Sequence, residues 1–168
     1  MPVNFSHYTL AKYLDQMSTK VPVPGGGSAA AYTAALGAGL LSMVINYSIG
    51  RKANTKAIEA RLTRSLNTSE VIRKRLLELT TLDSKAYLQI VAARQNDVKV
   101  QKVASRNAVK VGQEICCLCY KALDLTPFLV EKGNPYLLSD VEVAVELLRA
   151  GFASSMVMVK INQSAPIS

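Results

Sequence analysis

The sequence predicts an all-α protein, a multihelical antiparallel bundle of long helices, on three observations. Apolar residues recur at helical spacing through several long windows, and no window alternates as a half-buried strand would. Hydrophobic residues make up 49% of the chain but aromatics only 6%, with no Trp. Alanine, leucine and valine must therefore build the core, and small side chains suit closely packed helices better than a β-sandwich. A chain of 168 residues is long enough for a substantial core, and 1–168 reads as one domain.

Each element has its own pattern. Leu10, Tyr13, Leu14 and Met17 fall at i, i+3, i+4 and i+7 and mark a short amphipathic helix ending near Thr19. Val21-Pro22-Val23-Pro24-Gly25-Gly26-Gly27 forbids a regular element, and Gly27 or Ser28 is a natural N-cap for a helix beginning there. A long apolar helix then runs from about Ser28 to Ile49, with Gly50 as the residue just past its end and Arg51 and Lys52 beyond. A second long pattern starts near Asn54 and carries Ile58, Leu62, Leu66, Ile72, Leu76, Leu79, Asp83, Tyr87 and Ile90 on one stripe. A third spans about Val98 to Leu123. Thr126-Pro127 interrupts, a short helical turn comes next, and Gly133-Asn134-Pro135 makes a firm break. Ser139-Asp140-Val141-Glu142 reads as a capping box opening a last helix that reaches about Asn162.

Charge and hydropathy exclude some functions. The net charge of +8 favours anionic partners, but the basic residues are scattered without interleaved aromatics, as on solvated helix faces, so nucleic acid is not an expected partner. Residues 21–50 carry no charge and are long enough for a membrane span. Gly25–Gly27 breaks the start of that run, and Ser28, Tyr32, Thr33, Ser42, Asn46 and Ser48 interrupt it. Its rows of small residues (Ala30, Ala34, Ala38) serve a buried soluble helix equally well. Met1 to His7 lacks the basic and apolar regions of a signal peptide. The expectation is a cytoplasmic protein with no membrane partner.

Few residues can carry chemistry. The Gly25-Gly26-Gly27-Ser28 turn delivers backbone N–H groups to the positive end of a helix, a recipe for holding an anion or a polar ligand edge. A close-packed turn before a tight helix fits the same spacing. Asp83 lies on an apolar stripe, where a carboxylate is costly unless something pairs with it. Either it serves a site, or the helix is rotated so that it sits at an edge near Lys85 or Arg75. Asp140 and Ser139 fit the first turn of a helix, and Asn134 fits a turn. Cys116, Cys117 and Cys119 point in different directions on a helix and cannot close one tetrahedral metal site, so no metal is expected. His7 is the sole histidine, which leaves Ser-His-Asp and Cys-His catalysis without a central member.

Three separated segments, in order, resemble the formiminotetrahydrofolate cyclodeaminase / methenyltetrahydrofolate cyclohydrolase family. The first is Val23-Pro24-Gly25-Gly26-Gly27-Ser28-Ala29-Ala30, continued by Ala34-Ala35-Leu36-Gly37-Ala38 and Ser42-Met43-Val44. The second is Leu82-Asp83-Ser84-Lys85-Ala86-Tyr87. The third runs from Gly133-Asn134 to Ser139-Asp140-Val141-Glu142-Val143-Ala144, with Ile161-Asn162 closing the likeness.

The resemblance implies an all-helical, intertwined homodimer acting on the one-carbon bridge between N5 and N10 of tetrahydrofolate. It implies Asp83 and Asp140 as an acid/base and electrostatic pair, with Asn134 and Ser139 positioning them or the pterin. Gly25, Gly26, Gly27 and Ser28 would hold a polar ligand edge. Arg51 and Lys52 would attract the glutamate or polyglutamate tail, with no cofactor beyond the folate itself. Absence of a formiminotransferase segment favours the cyclohydrolase reaction over ammonia release. The competing expectation is a non-catalytic folate-binding or structural dimer of the same fold.

Overall fold

Three helices begin where a short polar side chain takes up a free N–H of the first turn. Thr9 accepts from the Lys12 N–H, Thr55 from that of Ile58 and Asp97 from that of Val100. They open α1 (Leu10–Met17), α3 (Lys56–Ala93) and α4 (Val98–Leu123) of the computed structural model, which describes residues 4–164. Between them lies α2 (Gly26–Asn46), and after them come α5 (Thr126–Lys132) and α6 (Leu138–Ser164). No strand occurs among the described residues.

The four long helices alternate in direction. Ser69 of α3 donates to the Ala38 carbonyl of α2, while Asp83, further along α3, meets Gly27 near the start of α2. On α6, Ala144 and Leu148 face Gly37, Gly151 faces Ala30 and Ala34, and Met158 faces Gly26. Ser105 donates to the Asn162 carbonyl and Ser155 to the Gly112 carbonyl, so α4 lies against α6 in the same antiparallel sense. The result is an up-down-up-down bundle.

Its core is built as the composition requires. Ala31, Ala34, Ala38, Leu41, Val44 and Ile45 of α2 meet Leu62, Ile72, Leu76 and Leu79 of α3, all buried. Removing this apolar surface from water, at about 25 cal/mol per Å², is the main favourable contribution. Buried hydroxyls are paired within the bundle, as where Ser42 donates to Ser69 at 2.9 Å. By length and composition α2 could cross a membrane, yet 61% of its apolar window is buried inside the bundle.

Three boundaries differ from the sequence expectation. Helix α2 opens at Gly26, about two residues early: Gly25 is its N-cap, in extended conformation and without a side-chain cap. Ser28 is therefore inside the helix, where its hydroxyl pairs with Tyr13. The helix stops at Asn46, and Gly50 (φ 77°) closes the turn beyond it in the left-handed conformation that glycine tolerates. Ser139-Asp140-Val141-Glu142 is not a capping box. The 3-10 turn Pro135–Leu137 runs directly into α6, so Ser139 and Asp140 already lie in its first turn. The cap is Asn134, whose side chain accepts the Tyr136 N–H at 3.1 Å.

Candidate active site

The start of α2 is held from below by an aromatic cluster. Phe5, Tyr13 and Val23 are buried together, with Tyr8, Met17 and Tyr32 against them. Tyr13 stacks on Tyr32 at 4.8 Å and meets the edge of Phe5 at 5.7 Å. The Phe5 N–H donates to Thr81 of α3 at 2.8 Å, fastening this cluster to the helix that carries Asp83. Gln16 donates to the Val23 carbonyl at 3.0 Å, and the Val23-Pro24 peptide is cis. The Tyr13 and Ser28 hydroxyls are 2.9 Å apart. The chain therefore enters α2 along one fixed path.

That path brings Gly27 against Asp83. A Cβ on residue 27 would overlap the Asp83 carboxylate, so this close approach requires glycine. Gly25 and Gly26 have room and owe nothing to this contact. Helix termini leave their first N–H groups without intrahelical partners. At α2 these groups lie beside Asp83, which takes the Ser28 N–H, and Gly25 brings no side-chain cap.

Asp83 faces a cavity of about 250 Å³ lined by Pro22, Val23, Gly25–Gly27, Tyr87, Ile90, Ala108, Met158 and Asn162. It is the sole charged side chain among them. No described ion pair includes it. Burial pushes its carboxyl up to about 6, and the Ser28 backbone N–H, which favours the ionised form, offsets this in part. The Tyr13 phenol is pushed up chiefly by burial, with the Asp83 charge adding to it. The rotated-helix expectation for Asp83 does not hold: Arg75 is taken by Glu114 at 2.6 Å and Glu78 at 2.8 Å, and Lys85 points to solvent.

The other residues expected at the site lie elsewhere in the chain. Asp140 precedes Met158 by 18 residues on α6, about 27 Å at 1.5 Å per residue. Asp83 and Asp140 thus do not form a pair within one protomer. Asn134 sits beyond the far end of α2, its N–H donating to Ser48 at 2.9 Å and its side-chain amide to the Tyr47 carbonyl at 3.4 Å. Arg51 donates to the Gly133 carbonyl at 2.6 Å and ties two loops together. Lys52 and Ser139 are exposed at the same end. Arg51 and Lys52 are about 30 Å, the length of α2, from the glycine turn.

Several lining residues were missed by spacing alone. Tyr87 comes one turn after Asp83 and Asn162 closes the last motif, so both were visible as motif positions without a role. Met158 and Ala108 carry no chemical signal in sequence and are placed only by packing. The cysteines offer no rival site. Cys116 donates to the Phe152 carbonyl at 3.7 Å, burial pushes Cys119 up to about 12, and the described residues hold no cluster fit for a metal ion.

The profile of the formiminotransferase-cyclodeaminase family matches residues 9–165. This chain belongs to that family. A methenyltetrahydrofolate cyclohydrolase from Methylorubrum extorquens is 34% identical over 92% of this chain and 78% of its own. The formimidoyltransferase-cyclodeaminase of Rattus norvegicus is 26% identical, and there the likeness covers 30% of the longer protein. The crystal structure of formiminotetrahydrofolate cyclodeaminase from Thermotoga maritima superposes with a TM-score of 0.90 at 25% identity, over 94% of this chain and 79% of that one. In this member of the formiminotransferase-cyclodeaminase family, the glycine turn and Asp83 line one cavity.

Proposed function

We propose that this protein hydrolyses 5,10-methenyltetrahydrofolate to 10-formyltetrahydrofolate in the Asp83 cavity. The observation that carries the reading is an unpaired carboxylate near pKa 6 in an otherwise uncharged pocket. The bridging carbon of the substrate lies between two nitrogens and shares a positive charge, which an ionised Asp83 stabilises at short range. A carboxylate with a pKa this close to neutrality can both take and return a proton.

In the proposed sequence, Asp83 accepts a proton from water as the water oxygen bonds to the bridging carbon. The cation becomes a neutral tetrahedral carbinolamine. Asp83 then gives that proton to N5 as the carbon–N5 bond breaks, and the hydroxyl loses its proton to solvent as the formyl C=O forms on N10. One water is consumed and one proton released. Gly26 and Gly27 N–H groups and Asn162 line the cavity where a pterin edge or the developing oxygen would sit. Asp83 and water handle every proton, so the proposal includes no further cofactor. It places the protein in the cytoplasm, with α2 as a core helix.

The same carboxylate would serve ammonia release from 5-formiminotetrahydrofolate, by protonating the departing nitrogen. The 34% identity to a cyclohydrolase over most of both chains favours hydrolysis. Purified protein supplied with each folate separately decides between them. The expected result is loss of the methenyl chromophore above the buffer rate, with little ammonia from the formimino compound. Loss of neither substrate would overturn the proposal.

A homodimer forms the second part of this reading. Along α2, Tyr32, Leu36, Leu40, Met43 and Tyr47 leave an uncharged stripe at the surface, with Leu36 50% and Tyr47 65% exposed. A two-fold pairing with its axis perpendicular to α2 sets the two helices antiparallel, with the far end of one α2 beside the Asp83 cavity of the other. Asn134, Ser139 and Asp140 then serve the cavity from a second copy.

A further inference from the structure

Tyr87 is the one aromatic side chain around the Asp83 cavity, whose lining is otherwise apolar or glycine apart from Asp83 and Asn162. The rings of the N-terminal cluster pack on one another, Phe5 on Tyr8 and Tyr13, and Tyr13 on Tyr32. Tyr87 has no ring or cation partner among the described residues and is 39% exposed. An exposed ring by itself is ordinary. Its register with Asp83 gives it a role.

Asp83, Tyr87 and Ile90 fall at i, i+4 and i+7, on one face of α3. Helix α2 starts level with Asp83, so the residues that follow Asp83 on α3 lie beyond the glycine turn. Four residues advance a helix by about 6 Å. In a 5,10-methenyl folate, the bridging carbon is joined through N10 to the centre of an aromatic ring about 4 Å away, two bonds and a ring radius. A carboxylate at the bridging carbon therefore leaves that ring within reach of the side chain one turn on.

The chemistry agrees with the spacing. N10 shares the positive charge of the bridge, and the ring carries a carbonyl at its other end, which leaves the ring electron-poor. The face of a phenol is electron-rich and attracts both an electron-poor ring and a delocalised cation. The pterin, with its hydrogen-bonding edges, suits the backbone N–H groups of the glycine turn instead.

We infer that Tyr87 is the platform on which the aromatic ring attached to N10 stacks, so that it fixes which end of the substrate enters the Asp83 cavity. The inference rests on the folate reading of that cavity. Asp83 and Tyr87 approach the flat cation from the same side, one directing water to the bridging carbon and the other holding the neighbouring ring. The contribution belongs to the ring of Tyr87 and not to its hydroxyl.

The test pairs Tyr87→Leu and Tyr87→Phe with two ligands. One is methenyltetrahydrofolate, followed by its hydrolysis. The other is the 5,10-methenyl compound with a methyl group on N10 in place of the aromatic ring and its tail, measured as an inhibitor of that hydrolysis. Tyr87→Leu should raise KM for the natural substrate about tenfold with kcat little changed, the scale of a stacked cationic pair. The inhibition constant of the ring-less compound should stay as in wild type, and Tyr87→Phe should behave as wild type with both. An unchanged KM in Tyr87→Leu overturns the assignment. So does an equal loss with both ligands, which would put Tyr87 against the pterin, or a loss in Tyr87→Phe matching that in Tyr87→Leu. In each of these cases turnover by wild type leaves the Asp83 reading standing. If wild type hydrolyses no methenyltetrahydrofolate, the functional reading fails and the platform falls with it.

Discussion

The two ends of α2 carry family motifs in equal measure but use them differently. At the start, Gly27 and Asp83 meet inside a cavity, and burial moves the carboxyl to about 6. Beyond the end, Arg51 donates to the Gly133 carbonyl, the Ser48 hydroxyl accepts from the Asn134 N–H, and the Asn134 side chain caps the turn that leads into α6. The first end holds a polar group without an ionic partner. The second has engaged its polar groups in tying loops. Within one protomer, therefore, only the first end gathers its motif into a cavity.

The largest expected effect separates the two ends directly. Asp83→Asn should lower kcat/KM for methenyl hydrolysis by about 10³-fold, within the range of general acid–base catalysis. The same variant should fold. Because the carboxyl is raised in the native state, wild-type stability from this group is present at low pH and is lost as pH rises through about 6. Asp83→Asn should therefore melt above wild type at pH 8 and close to it near pH 4, as calorimetry can check.

Mixing tests whether the far end serves the site from a second copy. Asp83→Asn and Asp140→Asn, each poorly active alone, should regain about a quarter of wild-type activity after co-refolding, since half the random dimers hold one intact site. No recovery would confine the site to one chain.

Next in size is Gly27→Ala. The added Cβ must displace the Asp83 carboxylate, and a misplacement of about 1 Å costs about 10²-fold in rate. Overpacking should also lower stability by about 1–3 kcal/mol, readable by urea titration. Gly25→Ala, with open space around its Cβ, should leave the Asp83 contact in place.

The smallest expected effect lies in the support beneath the turn. Tyr13→Phe and Ser28→Ala each remove one partner of a buried hydroxyl pair and should cost about 1 kcal/mol. A double-mutant cycle should show them to be coupled rather than additive.

Most of the architecture was legible in the sequence because it rests on periodicity. The Leu62, Ile72, Leu76 and Leu79 stripe announced α3, and Gly133-Asn134-Pro135 announced the break between α5 and α6. Caps were less legible. Ser28 looks like an N-cap, but its hydroxyl meets Tyr13, fifteen residues earlier in the chain, and such a contact has no local signal. Asp83 stood out because a carboxylate on an apolar stripe demands an explanation. Its cavity did not, since Met158 and Ala108 reach it only through packing of α4 and α6. Asp140 illustrates the opposite failure: a motif shows that residues belong together, but not whether one chain or two bring them together.

The most direct test of the central claim is the pH dependence of kcat/KM for methenyltetrahydrofolate hydrolysis, corrected for the buffer reaction. With Asp83 acting as the base, wild-type activity should fall about tenfold per pH unit below an inflection near 6, while Asp83→Asn should lie about 10³-fold lower without that inflection. A wild-type profile lacking the inflection, or an Asp83→Asn profile matching wild type, would contradict the assignment of Asp83 as the proton carrier.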